Sequence, residues 1–155
     1  MYYFHVQYAL DVTCLRFANV YGERQNPHGE AGVVAIFLKL LSENQPPVIN
    51  GDGLQTRDYV HVSDVVQANM AAMGVQGFNI FNVGTGIETT VVDLFKGLRD
   101  ASGSEIEATH GPGKPGEQRR SCVDASRLHN ELGWPEPLAL QEGLQRTADW
   151  FRDNT

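Results

Sequence analysis

An α/β fold with a partly parallel sheet is predicted by three observations. Strand-like and helix-like segments alternate from end to end. Residues 78 to 83, FNIFNV, form a short unbroken apolar run, as a buried parallel strand requires. The length, 155 residues, is that of one ordinary domain with a core of its own.

The elements follow in order. MYYFHVQYAL reads as a helix already under way, because Tyr3, Val6 and Leu10 recur at helical spacing with no cap before them. Residues 12 to 20, VTCLRFANV, are β-branched and apolar and close on Tyr21-Gly22, a strand ending in a turn. The polar loop ERQNPHGEAG comes next and is long enough to be functional. From Val33 to Glu43 the chain is apolar nearly all round, which predicts a buried helix, with Pro46 and Pro47 ending it.

PVIN is a short strand, followed by a glycine turn and the strand RDYVHV, residues 57 to 62. Ser63 stands where an N-cap belongs, before a helix from about residue 64 to 73 whose Val66, Asn69, Met70 and Met73 share one side. FNIFNV follows as a strand, then the turn Gly84-Thr85-Gly86. Thr90 caps a helix carrying Val91, Leu94, Phe95, Leu98 and Ala101 on one face, stopped by Gly103. IEATH is a further strand, and residues 111 to 121, GPGKPGEQRRS, are a loop. Ser126 to Leu132 gives a short helix closed by Gly133; Leu140, Leu144, Ala148 and Phe151 mark a final amphipathic helix.

Composition narrows the function. A net charge of -7 with twelve scattered Lys and Arg argues against a nucleic-acid or anionic-membrane surface, so an anionic ligand must be met by a local pocket. No stretch approaches the roughly 18 consecutive apolar residues of a membrane span. The start carries no signal-peptide pattern, and Cys14 and Cys122 lack metal or disulfide spacing, which reads as reduced thiols in a cytoplasmic protein.

Several residues are candidates for chemistry. Gly84-Thr85-Gly86 follows a strand and opens a helix, but it lacks the third glycine and the distal acid of a dinucleotide fingerprint and reads as a strand-to-helix turn. Arg57 begins a strand beside a glycine turn, with Tyr59 and His61 on the same period-two face. It can present its planar fork to a phosphate, or pair with Asp52 or Asp58. Lys114, Glu117, Arg119 and Arg120 form a second cluster that either closes over a ligand or is a solvated loop. Asn19 can face a ligand at the carboxyl edge of the sheet, or bond its own backbone in a turn. The histidines show no metal spacing, Ser63 reads as a cap and not a nucleophile, and Trp134, Trp150 and Phe151 read as packing.

With Arg16-Phe17-Ala18-Asn19-Val20-Tyr21-Gly22, then GEAGVVAIF, GDGLQTRDYVHVSDV, NVGTG, KPGEQRRS and LGW in this order, the sequence resembles the extended short-chain dehydrogenase/reductase family. Within it the likeness is to the NAD-dependent nucleotide-sugar epimerases and dehydratases, of which UDP-glucose 4-epimerase is the type. The match runs essentially from end to end. It implies the last strands and helices of a Rossmann-type parallel sheet, together with the small mixed α/β lobe that binds the nucleotide sugar.

The resemblance further implies that residues 1–155 are the carboxyl-terminal, substrate-binding half, with the amino-terminal NAD-binding half absent. Neither GxxGxxG nor the catalytic Tyr-x-x-x-Lys occurs here: Tyr2 and Tyr3 would need Lys where Val6 and Gln7 stand. MYYFHVQY then finishes the family's catalytic helix. NAD is the cofactor of the complete family enzyme; none is expected for this chain alone, which is expected to be inactive alone, with no catalytic residue. Asn19 is similar to the family asparagine at the substrate diphosphate, and Gly32 and Val33 to the helix start whose amides meet it. Val48 and Asn50 fall where the base is cradled, Arg57 on the diphosphate arginine, and Glu117 on the acid near the ribose. Lys114 stands in place of the family arginine, keeping charge and losing the fork. Val20 would lie near the nicotinamide.

The implied partner is a nucleotide-diphosphate sugar, UDP-linked by preference, with a homo-oligomer or a complementing NAD-binding half as protein partners. Alternatives are a non-catalytic nucleotide-sugar-binding module, a truncated fragment, or the sugar-binding half of a dehydratase. The apolar strand VTCLRFANV, unpaired on one edge, is expected to promote aggregation or self-pairing.

Overall fold

The computed structural model describes residues 1–28 and 32–154. The expected motif GEAGVVAIF therefore lies partly outside the described residues, at positions 29 to 31. The order is α1 (Tyr2–Tyr8), β1 (Val12–Phe17), β2 (Asn19–Tyr21), α2 (Val33–Ser42), β3 (Val48–Asn50), β4 (Thr56–Arg57), β5 (Tyr59–His61) and α3 (Val62–Ala72). Then come β6 (Phe78–Val83), β7 (Thr89–Thr90), α4 (Val91–Ser102), β8 (Thr109–Gly111), β9 (Arg120–Ser121), α5 (Ser126–Leu132) and α6 (Leu140–Asn154).

Pairing is mostly parallel, as the α/β reading requires. β1 pairs with β6 from Val12↔Phe78 to Phe17↔Val83, β2 with β5, and β3 with β8. β4 sits between β7, antiparallel, and β9, parallel. The sequence's single strands at 12–20 and 57–62 are each broken once. The first breaks at Ala18, whose N–H donates to Val83 O at 2.9 Å, and the second at Asp58, whose carbonyl accepts from Asn19 N at 2.8 Å. The chain thus steps from one sheet to the next at the residues flanking Asn19 and Arg57. IEATH contributes only its end, β7 includes Thr90, which was expected only as a helix cap, and β9 forms in the segment read as a loop.

Two cores hold these elements. α2, α4 and α6 bury Phe37, Leu38, Leu94, Leu98, Leu144 and Phe151 together with Tyr21, Ile49 and Tyr59. β5, β6, α3 and α5 bury Val60, Phe81, Leu128 and Trp134. Each such side chain contributes about 1.5–3 kcal/mol by leaving water. α4 begins and ends as expected: Thr90 Oγ1 accepts from Asp93 N, and Gly103 adopts the left-handed conformation at φ 67°. α2 stops at Ser42, ahead of the prolines, where Asn44 turns the chain at φ 55°.

α3 corrects the sequence reading twice. Its N-cap is His61, whose Nδ1 accepts from Ser63 N, so Ser63 lies inside the first turn. Its buried residues are Asp64, Val65 and Ala68, while Val66, Met70 and Met73 are exposed.

Candidate functional site

Arg57 is held by its neighbours before any ligand arrives. β4 is flanked on both sides, and the Arg57 Nη1 donates to Thr56 O and Gln118 O, both at 2.8 Å. Nη2 lies 3.4 Å from Glu117 Oε1. Neither expected partner is used. Asp52 is taken by Arg119 in a bidentate pair at 2.9 and 2.8 Å, and the Arg119 guanidinium holds its carboxyl down at about 2. Asp58 points away into the interior.

Around Arg57 lies a cavity of about 340 Å³, and all of the residues assigned to substrate by resemblance line it: Asn19, Gly32, Val33, Val48, Asn50, Arg57, Lys114 and Glu117. They come from β2, the start of α2, β3, β4 and the 111–119 loop, segments spread over most of the chain. The structure adds Ile36 and Phe37 of α2, Ile49, Gln55, Tyr59 and Val91 to the lining. Periodicity marks Tyr59, on the same strand face as Arg57. For Gln55, buried and donating from Nε2 to Asn50 O at 3.2 Å, no sequence signal existed.

The chemistry of the lining is divided. Arg57 and Lys114 bring positive charge, and the α2 N-terminus adds amides with no side-chain cap and no acidic residue in the first turn. Free amides and the helix dipole favour an anion. At that N-terminus Gly32 lies against the Gln25 side chain, where an added Cβ would stand 2.7 Å from the movable Nε2. Val33, Ile36, Phe37, Val48 and Ile49 make an apolar side suited to a flat ring. Burial pushes the Tyr59 phenol up to about 12, with Arg57 pulling it down and Glu117 pushing it further up, so it stays neutral at physiological pH.

The turn Gly84-Thr85-Gly86 does not open a helix; residues 87 to 90 intervene before α4. Its amides are already spent on an anion of the chain itself. Asp58, 1% exposed, accepts from Thr85 N at 2.9 Å, Thr85 Oγ1 at 2.7 Å and Gly86 N at 3.1 Å. A Cβ on Gly84 would stand 2.5 Å from Asp58 Oδ2 and 2.4 Å from Val123 Cγ2, so only glycine fits. This turn therefore fits no cofactor phosphate. Val20 lies outside the cavity, half-buried against the second core and paired with Val60.

Ser63, His61 and Glu23 stand in a row, with His61 Nδ1 2.8 Å from Ser63 Oγ and Nε2 3.3 Å from Glu23 Oε2, the latter without hydrogen-bond geometry. His61 is 2% exposed and none of the three borders the cavity, so the row lies outside the site and His61 serves to cap α3. Among the described residues no group of His, Cys, Asp and Glu is placed to hold a metal ion, and no helix is long and apolar enough to cross a membrane.

Comparison with known proteins bears on the same residues. The model of the NAD dependent epimerase/dehydratase family matches residues 1–84, more than half of the chain. UDP-glucose 4-epimerase of Mycolicibacterium smegmatis is 46% identical over 149 residues, 96% of this chain and 48% of that protein. The crystal structure of UDP-glucose 4-epimerase with UDP-glucose from Thermotoga maritima superposes with a TM-score of 0.94 at 45% identity, covering 98% of this chain and 49% of that one. That of the Thermus thermophilus UDP-glucose 4-epimerase complex with NAD gives 0.90 at 36% identity, over 99% and 50%. The chain spans about half the length of each.

Proposed function

The chain belongs to the NAD dependent epimerase/dehydratase family, and on that premise we propose that residues 1–155 are the nucleotide-sugar-binding half of a UDP-glucose 4-epimerase-like enzyme. The observation that carries the proposal is the convergence on one cavity of Asn19, the α2 N-terminus, Val48, Asn50, Arg57, Lys114 and Glu117.

In this reading the diphosphate lies between Arg57, Lys114 and the first amides of α2. Arg57 contributes most, because two backbone carbonyls fix its guanidinium and little rotamer freedom remains to be lost on binding. The base lies against Val48 and the apolar wall, with Asn50 at its polar edge, and Glu117 meets the ribose hydroxyls. Asn19, two residues past the end of β1, points the sugar toward the carboxyl edge of the sheet. NAD supplies the redox chemistry of the family's complete enzyme, and the 84–86 turn, whose amides Asp58 takes, is not assigned to its phosphates. The part of the cavity residues is binding energy and orientation.

Calorimetric titration tests this. The chain is expected to bind UDP, and Arg57→Ala to weaken binding by about 1.5–3 kcal/mol, the worth of hydrogen bonds to a charged group. Residues 1–155 alone are expected to bind UDP-glucose without turning it over when NAD is added. UDP affinity indifferent to Arg57→Ala would remove the reading.

A further inference from the structure

We propose that the ion pair of Asp52 and Arg119 is a latch that holds the 111–119 loop at the cavity, so that two residues outside the cavity position the ligand through Lys114 and Arg57. The role rests on reading the cavity as a nucleotide-sugar site and deepens that reading. Neither Asp52 nor Arg119 lines the cavity itself. Both border an adjoining space of about 280 Å³, which shares Asn50, Gln55, Lys114 and Glu117 with it.

Little else holds the loop. Residues 112 to 119 are all exposed, so burial does not fix them. Backbone bonds secure the two roots, Gly51 N donating to Gly111 O and Thr56 N to Arg119 O, both at 2.9 Å. Between the roots, among the described residues, residues 112 to 118 are hydrogen-bonded to the rest of the chain through Arg57 alone, from Nη1 to Gln118 O and from Nη2 to Glu117 Oε1. That guanidinium is also the group assigned to the diphosphate. A phosphate drawn to Nη2 competes there with a carboxylate of like charge, and so loosens the loop while Lys114 is needed at the ligand.

The pair of Asp52 and Arg119 stands apart from that competition. Its two bonds, at 2.9 and 2.8 Å, place the guanidinium fork on the carboxylate and use no atom of a cavity residue. Asp52 is anchored in turn, since its Oδ1 also accepts from Leu54 N at 2.9 Å between Gly51 and Gly53, which turn the chain at φ 64° and 71°. The latch thus joins the segment after β3, with Val48 and Asn50, to the loop that carries Lys114 and Glu117. Exposed pairs are ordinarily weak, but a bidentate arginine on an anchored carboxylate is the geometry in which they count.

The test is stopped-flow binding of UDP to wild type, to Asp52→Asn and to the reversed pair Asp52→Arg with Arg119→Asp. Asp52→Asn is expected to release UDP about twofold to fivefold faster, the worth of such a pair. Removing a carboxylate near the cavity would by charge alone slow the release of an anion, so the expected change has the opposite sign to simple electrostatics. The reversed pair is expected to restore slow release. Release unchanged or slowed in Asp52→Asn overturns the proposal, and so does a reversed pair that releases UDP as fast as Asp52→Asn. A second measurement needs no ligand: rapid-quench amide exchange should speed up in Asp52→Asn within residues 112 to 118 while β5 and α4 stay as protected as in wild type. Equal exchange in the loop, or faster exchange throughout the chain, overturns the proposal. UDP that fails to bind wild type, or binding that ignores Arg57→Ala, defeats the site reading instead, so the two failures are distinguishable.

Discussion

Asp58 is buried, and among the described residues no cation pairs with it, so N–H and O–H donors must satisfy its oxygens. Its oxygens take Thr85 N, Thr85 Oγ1, Gly86 N and, at 3.4 Å, Val123 N, while its carbonyl takes Asn19 N. It therefore ties the 84–86 turn and the segment after β9 beneath Arg57, and sets Arg57 against Asn19. Asp58→Asn would aim an amide N–H₂ at backbone donors, and is expected to cost about 2–3 kcal/mol in urea unfolding. His61 carries a pH dependence. Burial holds its affinity for a proton below the ordinary 6.5, with Arg146 acting in the same sense and Glu23, Asp64 and Glu142 opposing. Between the lowered value of the folded state and 6.5 the unfolded chain binds more protons than the folded one. Its contribution to stability is therefore full above about pH 6.5 and lost as pH falls through the folded value. Urea midpoints are expected to fall between about pH 7 and pH 5.5 in wild type, and more shallowly in His61→Asn, whose side chain can still cap α3. At this scale the sequence marks Arg57, because a fork at the start of a strand suits a phosphate. It does not show what Arg57 leans on, since Glu117 and Gln118 lie sixty residues away along the chain.

Elements were most legible where the signal is local. α4 has its cap, its apolar face and its stopping glycine in the sequence, and all are used as written. Thr90 Oγ1 accepts from Asp93 N at 3.0 Å and lies 2.6 Å from Asp93 Oδ2. Thr90→Ala is expected to lower stability by about 1 kcal/mol in thermal or urea unfolding. α3 shows where local signals fail. Its period identifies a helix but not which side faces in. That side is chosen by Asp64, whose carbonyl accepts from Trp134 Nε1 at 3.0 Å and whose Oδ2 accepts from Leu138 N at 3.1 Å. Those partners are seventy or more positions away, and they turn Val66, Met70 and Met73 outward. The strand RDYVHV likewise reads as continuous, yet it breaks at Asp58 because the carboxylate must reach the 84–86 turn.

Over the whole molecule, apolar exposure gathers on α1, α3 and the strand between them. Tyr2, Tyr3, Phe4, Val6 and Tyr8 of α1, then Leu10 and Phe17, are each about half exposed or more, as are Val66, Met70 and Met73. Among the described residues β1 pairs only with β6, which leaves its other edge free to bond. A surface of this kind favours association. Size-exclusion chromatography of residues 1–155 is expected to show species larger than the 17.1 kDa of one chain, growing with concentration; a single sharp monomer peak at all concentrations would contradict this. By itself the sequence determined the α/β class, the helices with local caps and faces, the family likeness and, through that likeness, eight of the residues that line the cavity, because periodicity, caps and ordered motifs are properties of neighbours along the chain. The tertiary structure alone decided where strands break, which face of α3 is buried, that Asp58 fills the glycine turn and that Glu117 shares Arg57. Each of those outcomes depends on a hydrogen bond or charge supplied from a distant segment, and sequence spacing carries no record of it.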